Sequence, residues 1–261
     1  DAKEPICSST LSKRQRKKLL KLEKWETVKK EKRRKEREKV KCKKLEAIKN
    51  GLPTRTGPSR NALKKNRAAN STKSLNIVVD LDFDDMMIPK DVAKCVKQLL
   101  RIYSINRRAK NPAQLHFAGI TNGGNIHKAL EKNDGYQNWD VQWSFGSILD
   151  IAKKENLVYL TSDSDEVITE MEQGTYYIIG GLVDHNHHKG YCLKRACTLG
   201  IKTARLPLNE YVEMKTRNVL STFHVFELLL KVHEGNSWRD AIITVLPIRK
   251  GAKPIDGQSI S

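Results

Sequence analysis

The uneven distribution of charge constrains this chain more than any other feature of its sequence. Residues 1–72 hold 25 Lys and Arg against 8 Asp and Glu, a net +17, whereas residues 73–261 carry only +2. Thr10 to Ile48 contains no Gly or Pro and is rich in Lys, Arg, Glu and Leu, so it is predicted to be one long helix, with Ser8, Ser9 and Thr10 as N-cap candidates. Its apolar residues cluster at Leu11, Leu19, Leu20, Leu22, Trp25 and Val28 and then thin out until Val40, Leu45 and Ile48. The first half could therefore dock on something, while the second reads as a free basic rod. A localised basic arm beside a near-neutral domain is the electrostatic footprint of a nucleic-acid binder, because each neutralised phosphate releases counterions.

Gly51, Pro53, Gly57 and Pro58 stand among Ser, Thr and Asn between Asn50 and Thr72, which is linker composition. The expected organisation is a basic helical arm over 1–50, a linker over 51–72, one enzyme-sized domain over 73–251 and a tail over 252–261. Within the domain, Leu75 to Leu81 is a short β-branched apolar run that reads as a buried strand. Further strand candidates are Gln114 to Ile120, Val141 to Trp143, Leu157 to Leu160, Tyr176 to Ile179 and Thr203 to Leu206. Helices are expected from Pro89, over Asn125 to Lys132, Ser147 to Lys154, Glu166 to Glu172, Leu193 to Leu199 and Val219 to Val232, with a last one capped by Ser237. Alternating strands and helices predict an α/β domain with a mostly parallel sheet covered on both faces. Five cysteines without a Cys-x-x-Cys pair argue against a disulfide framework or a zinc knuckle and fit a reducing compartment. No run approaches the roughly 18 to 20 apolar residues that cross a bilayer, so no membrane partner is expected.

Open parallel sheets bind ligands at the carboxyl ends of their strands, and three such ends stand out. Leu157 to Asp163 ends in small polar residues, Tyr176 to Asp184 passes through Gly180 and Gly181, and Thr203 to Leu208 stops at Pro207. A glycine pair after a buried strand admits a ligand close to the backbone, although a tight turn would use the same residues. Asp184 then precedes His185, Asn186, His187 and His188, a density of ionisable groups that a turn does not need. A dinucleotide-binding fold would require a Gly-rich turn after the first strand, yet Asp80, Asp82, Asp84 and Asp85 stand there. Those carboxylates could hold Mg²⁺ in a nuclease with Asp163 and Asp184, or Asp84 and Asp85 could solvate a loop and cap the following helix. The three histidines are too bunched to be a metal pair.

The segments Tyr-Leu-Thr-Ser-Asp at 159–163, Ile-Gly-Gly-Leu-Val-Asp-His-Asn at 179–186 and Leu-Pro-Leu at 206–208, in this order and spacing, closely resemble the eukaryotic and archaeal tRNA purine-nine N1-methyltransferase family. The match runs from about Leu75 to Gly251, and the basic amino-terminal helix is similar to that of eukaryotic members. The resemblance implies a SPOUT fold: an α/β domain with a C-terminal trefoil knot, preceded by a basic helix. It implies S-adenosylmethionine as cofactor, tRNA as partner and a monomer, while the basic helix can double as a nuclear-localisation signal, so the nucleus or cytoplasm is the expected place. Carried over by position, the cofactor pocket would be lined by Leu160, Thr161, Gly180, Asp184, His185, Asn186, His187, His188, Cys192, Leu206, Pro207, Asn218, Val219 and Leu220, with Asp184 as general base. The alternatives are an RNA-binding subunit that keeps the fold without catalysis, and the Mg²⁺-dependent nuclease.

Overall fold

A computed structural model describes residues 12–52, 57–71, 73–185, 187–213, 219–246 and 253–254. The chain divides into two compact units, 1–58 and 59–261. The first contains one long helix, α1 (Lys13–Lys49). Its cap is Ser12, whose hydroxyl accepts from the Gln15 N–H while the Gln15 side chain accepts from the Ser12 N–H at 2.8 Å. This reciprocal box satisfies two amide donors that no helical carbonyl reaches, which is why the helix starts at Lys13. No residue of α1 is buried within the structure. Ion pairs one turn apart, Glu31–Lys35 at 3.0 Å and Arg34–Glu38 at 3.8 Å, lie on its surface, each contributing a few tenths of a kcal/mol.

The second unit begins within the expected linker. Ser59 caps α2 (Arg60–Lys65), after which the Asn66 amide donates to the carbonyls of Arg107 and Ala109, and buried Ala68 donates its N–H to Asp140 at 2.9 Å. The central sheet contains β1 (Asn76–Asp80), β2 (Gln114–Ala118), β3 (Gln142–Trp143), β4 (Leu157–Leu160), β5 (Tyr176–Gly180) and β6 (Lys202–Ala204). Their order is β3-β2-β1-β5-β4-β6, and every pairing is parallel. All five β1 residues are buried. Ile77 and Val79 pack into one core with α3 (Pro89–Asn106), α7 (Thr222–His233) and α8 (Trp238–Val245), while Val78 faces a second core with Tyr159 and Ala196 of α5 (Tyr191–Leu199). A strand buried on both faces favours an unbroken apolar run, which explains Ile77, Val78 and Val79 at the centre of β1.

The remaining elements are α4 (Asn125–Glu131), α6 (Leu208–Tyr211) and an antiparallel pair of β7 (Val212–Glu213) with β8 (Lys253–Pro254). Two expected helices do not form. Ser147 to Lys154 contains only a 3-10 turn over Ile148–Asp150, with a second turn beginning at Lys154. Glu166 to Glu172 is extended at its start: Glu166 accepts from the Arg205 N–H at 2.7 Å, Val167 forms a bridge with Arg205, and the Thr169 carbonyl receives the Trp238 indole. Edge pairing and a buried tryptophan override the helix propensity of this segment.

Candidate active site

The turns after β4, β5 and β6 and the approach to α7 enclose one cavity at the carboxyl end of the sheet. Of the expected residues, Leu160, Thr161, Gly180, Asp184, His188, Cys192, Leu206, Val219 and Leu220 line it. His185 and His187 are exposed and not part of its wall, and Pro207 is buried as the residue before α6. Asn186 and Asn218 lie outside the described residues. The cavity also draws on residues that the sequence did not single out for cofactor binding, including Arg205, Asn209, Tyr191, Thr222 and Val225. The one sequence signal for Arg205 is its place directly before the Leu-Pro-Leu segment, which does not by itself separate it from other arginines.

Close packing shapes the base of the cavity. A Cβ on Gly180 would lie 2.9 Å from the Cys192 sulfur, so the glycine lets α5 approach β5. The Gly180 carbonyl accepts from the Thr222 hydroxyl at 2.9 Å, tying the first turn of α7 to the end of β5. Burial pushes the Cys192 thiol up to about 11 despite a hydrogen bond with Tyr159, and the carboxylates of Asp80, Asp184 and Asp163 add to the effect. It is therefore a neutral packing group near pH 7 and not a nucleophile.

Asp184 stands in the turn that follows the glycine pair. Its side chain is 13% exposed, and its Oδ2 accepts the His188 N–H at 2.7 Å with His188 Nδ1 at 3.1 Å. Just upstream, the Val183 N–H reaches Met87 Sδ at 3.3 Å, which joins this turn to the segment before α3. The carboxylate is thus held by its own loop, on the wall of the cavity. Opposite in character, Arg205 forms a 2.8 Å ion pair with Glu210, and the Asp163 N–H donates to the Thr161 hydroxyl.

The aspartates after β1 are committed elsewhere. Asp80 is fully buried and receives Arg195 Nε at 2.6 Å and the Tyr159 hydroxyl at 2.9 Å, while Arg195 also reaches Asp82 at 2.9 Å. Burial and the adjacent Asp80 carboxylate push the Tyr159 phenol well above its usual range, keeping it a donor. Asp84 accepts from the N–H groups of Asn125 and Ile126, so it caps α4 and not the following helix α3, which begins instead at Pro89. Among the described residues no group of three or more His, Cys, Asp or Glu is placed to hold a metal ion. The nuclease alternative loses its first ligand to Arg195.

The composition of the cavity fits a nucleoside carrying a charged amino-acid end. Leu160, Leu182, Leu206, Leu220 and Val225 provide an apolar slot of the kind that accepts a purine, while Thr161, Asp163, Arg205 and Asn209 provide hydrogen-bonding and charged groups. No helix among the described residues is long and apolar enough to cross a membrane.

Comparison with known proteins agrees with this layout. Residues 9–251 match the family model of tRNA (guanine(9)-N(1))-methyltransferase TRM10/TRM10A. The chain is 55% identical over 210 residues to the Drosophila melanogaster protein tRNA (guanine(9)-N(1))-methyltransferase Trmt10A, covering 80% of this chain and 66% of the relative. It is 44% identical over 185 residues to the Homo sapiens tRNA methyltransferase 10 homolog A, covering 70% of this chain and 54% of the relative. The chain thus spans about two thirds or less of the length of these relatives. A crystal structure of full-length spTrm10 in complex with SAH superposes with a TM-score of 0.61 at 35% identity, covering 69% of this chain and 98% of that one. The six-stranded parallel sheet and its helices are those of the Trm10 SPOUT methyltransferases, and the chain belongs to the tRNA (guanine(9)-N(1))-methyltransferase TRM10/TRM10A family.

Proposed function

We propose that this chain transfers a methyl group from S-adenosylmethionine to N1 of guanine at position nine of tRNA. The observation that carries the reading is a mostly buried carboxylate, Asp184, on the wall of a cavity whose apolar and polar groups suit an adenosyl amino acid. The bound cofactor supplies an electrophilic methyl group on a sulfonium. Guanine N1 carries a proton, and Asp184 would accept it as the bond from N1 to carbon forms and the carbon–sulfur bond breaks, its electron pair staying on the departing thioether. The two contacts from His188 to Oδ2 fix the direction in which the carboxylate presents itself. Adenine N1 has no proton to lose, so with that base Asp184 would only orient the ring. The name of the fly relative supports guanine.

Around Asp184 we assign cofactor binding to Leu160, Thr161, Gly180, His188, Cys192, Leu206, Val219 and Leu220, and add Arg205. The family likeness supports a trefoil knot in the C-terminal part and a monomeric enzyme. The basic face of α1 supports phosphate contacts that read the shape of tRNA rather than its sequence. A basic helix can also direct import, which supports residence in the nucleus as well as the cytoplasm.

The test is to incubate purified protein with S-adenosylmethionine and unmodified tRNA and map the modified base. Methylation at N1 of guanine nine is expected. Methylation elsewhere would overturn the assignment, and cofactor binding or tRNA binding without any transfer would favour the RNA-binding subunit.

A further inference from the structure

His185 follows the proposed base and is, among the described residues, the one non-glycine residue with positive φ, at 54°. A side chain disfavours this region of backbone conformation, which persists only when its surroundings enforce it. The enforcing contacts come from α3. Lys94 Nζ lies 2.6 Å from His185 Nε2 and 2.7 Å from Asp91 Oδ1, with Asp91 Oδ1 itself 3.7 Å from the same imidazole nitrogen. Asp91 is in the first turn of α3 and its side chain is 12% exposed, so the cluster is anchored to a rigid element. The Lys94 ammonium carries three protons, enough to serve both neighbours. The hydrogen bond and charge of Lys94 hold the Asp91 carboxyl below its ordinary range, against a smaller opposing effect of desolvation.

We infer that Asp91 and Lys94 are positioning residues that set the aim of Asp184. By fixing the His185 ring they hold the left-handed backbone at 185, while His188 holds the Asp184 carboxylate within the same turn. The turn that follows the proposed base is thereby tied to α3. His185 serves the site through α3 and not as a wall of the cavity, which accounts for a histidine that follows the base yet faces away from it. The inference rests on the methyltransferase reading proposed above.

A thermodynamic cycle separates this role from contact between Lys94 and tRNA phosphate. In the whole chain, Lys94→Met is expected to lower kcat about 10-fold at saturating tRNA and cofactor, since small misplacements of a reacting group are costly, with KM for tRNA moving less than about 2-fold. Lys94→Arg, which keeps donors for both partners, restores most of kcat. Glycine adopts positive φ without a side-chain penalty. In a His185→Gly background the additional loss from Lys94→Met therefore falls below about 2-fold, because no ring remains to be held. Three results would overturn the inference: unchanged kcat in Lys94→Met, a loss confined to KM for tRNA and deepened by salt, or an equal loss with and without His185. If wild-type protein methylates no tRNA, it is the underlying functional reading that fails.

Discussion

The carboxyl ends of neighbouring strands in one parallel sheet are finished in opposite ways. At β1 the acidic residues are used up internally: Asp80 is sealed by Arg195 and Tyr159, and Asp84 caps α4. At β4, β5 and β6 the turns stay apart and line a cavity with Asp184 in its wall. The strand order reverses between β1 and β5, where open α/β sheets commonly leave their ligand crevice. Here that junction is closed by the Gly181 N–H bonded to the Asp80 carbonyl at 2.7 Å, and the cavity lies on the β5 side. Carboxylate density after a strand is thus no guide to chemistry by itself. What matters is whether groups of the same domain seal the carboxylate in, as at Asp80, or leave it on the wall of a cavity, as at Asp184.

The contrast can be broken at its sealed end. Asp80→Ala leaves Arg195 partly buried beside an empty space, and its cost should be about 3–5 kcal/mol of unfolding free energy. Urea denaturation would measure it, and a variant as stable as wild type would show that the seal does not hold the β1 end. Gly181→Ala attacks the junction itself. Its Cβ would lie 2.6 Å from Leu81 Cδ2 and 2.7 Å from the Asp80 carbonyl oxygen. Forcing β5 and β1 apart should cost about 1–3 kcal/mol in the same assay. Asp84→Ala removes one helix cap and should cost about 1 kcal/mol, visible as faster amide exchange at Asn125 and Ile126.

The smallest effect concerns the open end. With its thiol pushed up to about 11, Cys192 should alkylate slowly from pH 7 to 9 and accelerate only as the pH approaches 11. Exposed Cys42 and Cys197 are the internal comparison in mass-spectrometric labelling. Fast labelling of Cys192 at pH 7 would contradict the packed floor described for the cavity.

Much of this contrast was legible in the sequence, and the reasons are local. Short apolar runs marked β1, β4 and β5, and strand-end glycines beside Asp184 marked the candidate site. What escaped was long-range. Glu166 to Glu172 has helical composition, and only the Arg205 edge pairing and the Trp238 indole make it extended. Residues 57–71 read as linker because composition cannot show that Asn66 and Ala68 bond to Arg107, Ala109 and Asp140. One miss was local: α1 is capped by Ser12, whose box Gln15 completes, while the Ser8 to Thr10 candidates lie outside the described residues. Arg195 and Arg205, a seal and a cavity wall, look alike in sequence. The former faces the buried carboxylate of Asp80 across 115 residues, whereas the latter pairs with Glu210 beside the cavity.

The most direct test of the central claim is single-turnover methylation of tRNA by Asp184→Asn, which keeps the shape of the side chain and removes its capacity to take a proton. Methyl transfer to N1 of guanine nine should fall by about 10²–10⁴-fold while cofactor binding by calorimetry persists. Transfer to the same atom at near-wild-type rates across the pH range would contradict the assignment of Asp184 as the base.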